Sequence, residues 1–272
     1  MSPAHRRSQP HTVCWGSACA RRVRQEAQQA TVQALMLALE LKDPYTRAHS
    51  ERVGALAARI ARELGAPAAR VEAVRLGGTL HDIGKLAVPT GLLRKNGPLT
   101  DEERGVVQLH PVDGDAVLRG VPVLAEARAA VLHHHERIDG TGYPYGLTGG
   151  RIPEAARIVA VADAFDAMTS TRAYRPARPD AHAMAELRRC AGTQFDPVMV
   201  EALAGALAAQ APTGAGARPG AGARPGAGAP ARPVPALCGA TAAVEGPLLA
   251  RVPARPPTWA WLDAGAKGKG VG

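Results

Sequence analysis

Aromatic residues are scarce in this chain: two Phe, three Trp and four Tyr among 272 residues, 3% in all. Strands draw on aromatic and β-branched side chains, whereas alanine and leucine favour helices. No segment of useful length alternates polar and apolar residues with period two, which argues against a half-buried sheet. The four cysteines, Cys14, Cys19, Cys190 and Cys238, are scattered. No pair has C-x-x-C spacing, so neither a zinc knuckle nor a dithiol redox motif is indicated. Long apolar runs are missing too. The stretch from Thr31 to Leu41 is too short to span a bilayer and ends at Glu40 and Lys42. The residues before Cys14 contain no apolar segment of the kind a secretory signal needs. These absences predict a soluble, cytoplasmic, all-α chain with reduced thiols and no membrane association.

The net charge of +9 suggests a nucleic-acid partner until it is placed along the sequence. Five arginines face Glu26 alone within residues 1–30. Seven basic residues face Glu245 and Asp263 within 206–272, so the residues between are balanced. A basic tail can bind an anionic surface weakly, but a solvated flexible tail needs no ligand, and no specific nucleic acid is expected. From Pro212 the unit Gly-Ala-Gly-Ala-Arg-Pro repeats. Such a short, Gly- and Pro-rich period cannot bury a core, which predicts disorder rather than a solenoid. Trp259 and Trp261 near the end read as unstructured aromatics. The expected organisation is a disordered basic N-terminus over 1–22, a helical domain over 23–208 and a disordered tail over 209–272.

Within that domain the pattern is helical. Val53, Leu56, Ala57, Ile60, Ala61 and Leu64 fall on one face of a 3.6-residue period, and Gly65 follows where a left-handed cap wants glycine. Thr100-Asp101-Glu102-Glu103 is a capping box predicting a helix through about Leu118. Helices also fit 24–42, 68–83, 122–135, 154–170, 180–190 and 197–208, which gives a bundle of seven or eight.

The histidines carry the chemistry. His81-Asp82 is followed by Ile83-Gly84-Lys85, and in a helix or its last turn Lys85 shares a face with both. An imidazole beside a carboxylate can ligate divalent metals, and a carboxylate can bridge two. Taken alone, the pair fits a capped helix end with a salt-bridged lysine equally well. His133-His134-His135-Glu136 is less ordinary, because three successive histidines gain nothing for packing and each ring nitrogen needs a partner if buried. The run Arg137-Ile138-Asp139-Gly140-Thr141-Gly142-Tyr143-Pro144 then reads as a tight glycine-rich loop. His110 and Asp163 lie on apolar helix faces. Each alone also fits an ordinary hydrogen-bonded core residue.

The complete motifs His81-Asp82-x-x-Lys85 and His134-His135-Glu136-x-x-Asp139-Gly140-x-Gly142-Tyr143-Pro144 resemble the HD-GYP subgroup of the HD metal-dependent phosphohydrolases. The resemblance runs from about Asp43 to Phe195-Asp196-Pro197. It implies iron or manganese ligands at His49, His81, Asp82, His110, His134, His135 and Asp163. It assigns phosphate contacts to Lys85, Arg172 and Arg175. The Gly142-Tyr143-Pro144 segment resembles one linked to substrate access and to diguanylate cyclase domains. His133 matches no family ligand, and Asp166 reads as structural. Members with a third metal carry a glutamate where this chain has Tyr45, so two ions are expected. With only about thirty residues before the bundle, an intramolecular sensor is not expected.

The resemblance further implies hydrolysis of cyclic di-GMP to linear pGpG, to GMP, or to both. In that scheme Asp82 bridges the ions, a hydroxide between them attacks phosphorus, and Lys85 offsets charge on the phosphate. Glu136 and Asp139 would orient ligand histidines, although hydrogen bonds at a helix end and in a turn account for them as readily. Another cyclic or mononucleotide substrate, a non-catalytic cyclic di-GMP-binding module and a homodimer remain compatible with the sequence.

Overall fold

The computed structural model of the chain describes residues 17–43, 46–171 and 176–209. The expectations for 1–16 and 210–272, for Tyr45, and for Trp259 and Trp261 lie outside these residues. The described part is all-α, as its composition predicts. Its α-helices are α1 Ser17–Lys42, α2 Thr46–Glu63, α3 Ala68–Leu80, the single turn α4 Thr90–Leu93, α5 Asp101–Val107, α6 His110–Arg119, α7 Arg128–His133, α8 Glu154–Thr169, α9 Asp180–Arg189 and α10 Pro197–Ala208. Three 3₁₀ turns lie at Ile83–Ala87, Pro122–Ala127 and Gly149–Arg151. Helix α1 begins at Ser17, so residues 17–22, expected within the disordered end, are helical.

Local signals account for most helix ends. Gly65 has φ +75° and its N–H returns to the Arg62 carbonyl, which closes α2. The Thr100 hydroxyl accepts from Glu103 N, and the Glu103 carboxylate accepts from Thr100 N, completing the capping box of α5. That helix does not run to Leu118 as expected. Pro111 has no N–H to give the Val107 carbonyl, so the ladder breaks there and restarts as α6. The helix expected over 122–135 is likewise a 3₁₀ turn followed by the short α7.

Two apolar clusters share the interior. One joins α2, α8, α9 and α10 through residues such as Ile60, Ile158, Phe165, Leu187 and Leu203. The other joins α1 to the 3₁₀ turns and α6 through Met36, Leu39, Ile83, Leu118 and Leu124. Helix α3 serves both, with Val74 in the first and Leu80 in the second. So does α7, through Ala130 and Val131. The C-terminal ends of α3 and α7 therefore meet between the clusters, and the histidine motifs sit on those ends.

Candidate metal centre

Three buried histidines are held by one local device. His81 follows the last residue of α3 and its Nδ1 lies 2.7 Å from the Gly78 carbonyl oxygen. His134 follows α7, with Nδ1 2.9 Å from Val131 O. His110 opens α6, and its Nδ1 takes the Val107 carbonyl that Pro111 leaves free, at 2.8 Å. Carbonyls at helix C-termini lack intrahelical partners. A carbonyl oxygen only accepts, so each Nδ1 donates to it and Nε2 is the nitrogen left to face a metal. His49 lies inside the first turn of α2, where backbone carbonyls serve the helix. Its Nδ1 bonds a carboxylate instead, Asp166 Oδ2 at 2.7 Å.

The free nitrogens converge. His49, His81 and Asp163 form one cluster whose ligand atoms lie within 4.8 Å of one another. His110, His134 and His135 form a second, and His81, Asp82 and His134 a third between them. Asp82 faces both sides: Oδ2 is 3.3 Å from His81 Nε2, and Oδ1 is 3.4 Å from His110 Nε2. His110 Nε2 and His134 Nε2 are 3.4 Å apart. Since each donates from Nδ1 to its carbonyl, two lone pairs point at one another, an arrangement that a shared cation satisfies. The donor set therefore fits divalent metal: imidazole nitrogen and carboxylate oxygen suit first-row ions. The fold brings all seven residues expected to hold metal together.

The electrostatics differ between the two sides. Burial pushes His110 down to about 4 and His135 to about 3, and it holds His134 well below the usual imidazole range. This side is neutral and free to ligate. For His49, burial opposes the charge, but hydrogen bonds to Asp163 and Asp166 outweigh it and lift the group to about 9. His81 is raised as well, its burial outweighed by Asp82. Burial works against ionised Asp82, yet the charges of Lys85 and His81 keep it well below the carboxylate range. Lys85 Nζ lies 2.7 Å from Asp82 Oδ2, as their spacing across the 3₁₀ turn predicts.

Glycine sets how closely this turn approaches α6. A Cβ on Gly84 would overlap the His110 carbonyl oxygen and come within 2.5 Å of Gly114 N. Only a residue without a side chain lets the Asp82–Lys85 turn lie against the start of the helix that carries His110.

The glycine-rich loop folds over the second cluster. The Tyr143 ring stacks on His135 with centroids 4.7 Å apart and 26° between planes. Burial raises its phenol pKa, and Asp82 and Asp163 add to that, so the hydroxyl stays protonated. Of the two roles open for Glu136 and Asp139, orienting ligand histidines or hydrogen-bonding at the helix end and turn, both take the second. Buried Glu136 accepts from Tyr145 N at 2.8 Å and from Leu147 N at 2.9 Å. Asp139 pairs with Arg137 and accepts from the N–H and hydroxyl of Thr141. Carboxylates that close to several backbone donors are spent on the turn. His133 lies apart from the clusters, its ring against Tyr145.

Asp166 is the site residue that sequence reasoning missed. It is 3% exposed, and Arg52 grips both its oxygens, from Nε at 2.6 Å and a terminal nitrogen at 3.0 Å. The signal was its position one helical turn beyond Asp163, on the same face of α8. Arg172 and Arg175, expected on phosphate, lie outside the described residues. Among the described residues no helix is long and apolar enough to cross a membrane.

A family model described as HD domain matches residues 33–199. The chain is 41% identical over 181 residues to the cyclic di-GMP phosphodiesterase response regulator RpfG of Xanthomonas campestris, covering 66% of this chain and 48% of that protein. It is 41% identical over 170 residues to 3′3′-cGAMP-specific phosphodiesterase 3 of Vibrio cholerae, covering 62% of this chain and 37% of that protein. The chain thus spans about half or less of the length of these relatives. Among solved structures, the HDG"Y"P protein Bd1817 from Bdellovibrio bacteriovorus is similar in fold, with a TM-score of 0.51, 22% identity, and coverage of 68% of this chain and 62% of that one.

Proposed function

The chain belongs to the HD domain family, and on that premise we propose that it is a metal-dependent phosphodiesterase of the HD-GYP type, hydrolysing cyclic di-GMP to linear pGpG, to GMP, or to both. The observation that carries the reading is the pair of ligand clusters with Asp82 between them, one oxygen toward His81 and the other toward His110. His49, His81 and Asp163 would hold one ion, and His110, His134 and His135 the other, with Asp82 shared. Nitrogen and oxygen donors of this kind suit iron or manganese. When bound, such a pair supplies positive charge to the scissile phosphate and acidifies water toward neutral pH.

The chain's own groups do the rest. Lys85 places an ammonium beside the centre, where it offsets charge developing on a phosphate oxygen. Arg172 and Arg175 join it on the strength of the motif resemblance. Each offers a two-donor fork where Lys85 offers a point charge. Tyr143, kept protonated, closes the side above His135 and presents an O–H donor to a substrate. The neutral state of His110, His134 and His135 leaves their lone pairs unopposed by protons. The reading takes 23–208 as the catalytic unit and places it in the cytoplasm, with the Gly142-Tyr143-Pro144 segment available to a diguanylate cyclase domain and a homodimer as a compatible assembly.

A second substrate, 3′3′-cGAMP, is favoured by one observation: a relative of equal identity is named as specific for it. The test is turnover by metal-loaded chain, purified without oxygen, against cyclic di-GMP, 3′3′-cGAMP and linear dinucleotides. Linear dinucleotide from cyclic di-GMP at a kcat/KM above that for cGAMP is expected. Faster cleavage of cGAMP would move the assignment to that substrate. Loaded metals with tight binding and no turnover would overturn the enzyme reading.

A further inference from the structure

His81, His110 and His134 are each fixed through the backbone carbonyl three residues earlier in the chain, which no side-chain substitution removes. His49 has no such anchor. Its Nδ1 is held by Asp166, a residue 117 positions away on α8, and Asp166 is held in turn by both donors of the Arg52 fork. Arg52 lies three residues after His49 on α2, so α2 supplies the ligand and the arginine, and α8 supplies the carboxylate between them. Asp163, one turn earlier on α8, meets the other edge of the same ring, with Oδ1 3.1 Å from Nε2. One turn of α8 therefore addresses both nitrogens of His49: Asp163 on the ligating side and Asp166 behind it.

We infer that Asp166, gripped by Arg52, is a positioning residue that sets the metal affinity of the His49–His81–Asp163 cluster and leaves the His110–His134–His135 cluster untouched. A carboxylate on Nδ1 keeps the proton at that nitrogen, turns the Nε2 lone pair toward the ion and makes it more basic. Both consequences stop at His49, because Asp166 is hydrogen-bonded to no other member of the ligand set. Arg52 acts one step further back. Its bidentate contact fixes the plane of the carboxylate. The inference rests on the metal-centre reading above.

The test is titration of the metal-free full chain with Mn²⁺ alone, followed by calorimetry and by the electron paramagnetic resonance of free Mn²⁺. Wild type is expected to show two sites. Asp166→Asn should leave one at wild-type affinity and weaken the other by roughly 10–100-fold, the usual cost of losing such a partner. Arg52 is half exposed, so Arg52→Gln should fold normally and shift the same site in the same direction by less. Arg52→Lys, which keeps the charge without the fork, should fall between Arg52→Gln and wild type. If Asp166→Asn does not fold, the Arg52 pair decides. Unchanged affinities in these variants would overturn the inference, and so would equal weakening of both sites, which marks a general support of the fold. A wild type without paired Mn²⁺ sites would overturn this inference and the metal-centre reading together. Two wild-type sites with unresponsive variants would overturn this inference alone.

Discussion

At Asp82 one carboxylate faces two clusters while Lys85 holds one of its oxygens. Replacing it with alanine is expected to abolish both metal loading and hydrolysis, measured by elemental analysis and by product formation on the same sample. Retained turnover would remove its bridging role. Gly84 makes a separate point about space. Gly84→Ala places a methyl group on the His110 carbonyl and near Gly114 N, both backbone atoms that cannot rotate away. The expected cost is about 1–3 kcal/mol in a denaturant titration, with metal affinity reduced because α6 must shift. Sequence could flag His81, Asp82 and Lys85 because they are near neighbours in the chain. It could not flag what Gly84 touches, because that contact belongs to another helix.

Among elements, the loop from Glu136 to Leu147 was the most specific sequence signal, and of the two roles open for its carboxylates the structure favours holding the turn. Glu136 spends its carboxylate on Tyr145 N and Leu147 N. Glu136→Gln turns one acceptor into a donor facing an N–H. With hydrogen bonds to charged groups worth about 1.5–3 kcal/mol, the loop should loosen. KM is expected to rise while metal content stays at the wild-type value, and lost metal would show that Glu136 supports the ligands after all. Asp139 adds a pH dependence. Burial opposes its charge, but hydrogen bonds from Arg137 and Thr141 hold its pKa down to about 2. A carboxylate lowered in the folded state stabilises fully above its unfolded value near 4. That contribution declines as pH falls from about 4 toward 2. Thermal midpoints across that window should drop in wild type, and Asp139→Asn should remove this component of the slope. Single helix ends were legible where a cap or a glycine marked them, as at Thr100 and Gly65. The break between α5 and α6 was signalled by Pro111, but its use, freeing a carbonyl for His110, appears only when the ring is placed.

For the whole molecule, the candidate ligands come from α2, α8, α6 and the ends of α3 and α7, so a bound metal pair would tie together elements that bury two separate apolar clusters. Ligand that binds only the folded state stabilises it by mass action, about 2.7 kcal/mol at a hundred times Kd for one site. Chelation should therefore lower the thermal midpoint, and added Mn²⁺ should restore it. An unchanged midpoint would mean that no ion binds there. Leu203→Ala, in the cluster away from the centre, should cost about 2–5 kcal/mol while leaving metal stoichiometry at the wild-type value.

The sequence by itself determined the helical class and most helix positions, and its motif resemblance named seven candidate metal ligands. Helix class and position depend on spacing within a few residues, and turns and caps are written at that range. Only the tertiary structure decided what the other carboxylates serve: Asp166 stands behind His49, and Glu136 lies under its own loop. Hydrogen bonds act over about 3 Å, whereas the partners of His49 stand more than a hundred residues apart along the chain, so the packing of α8 against α2 had to bring them within reach.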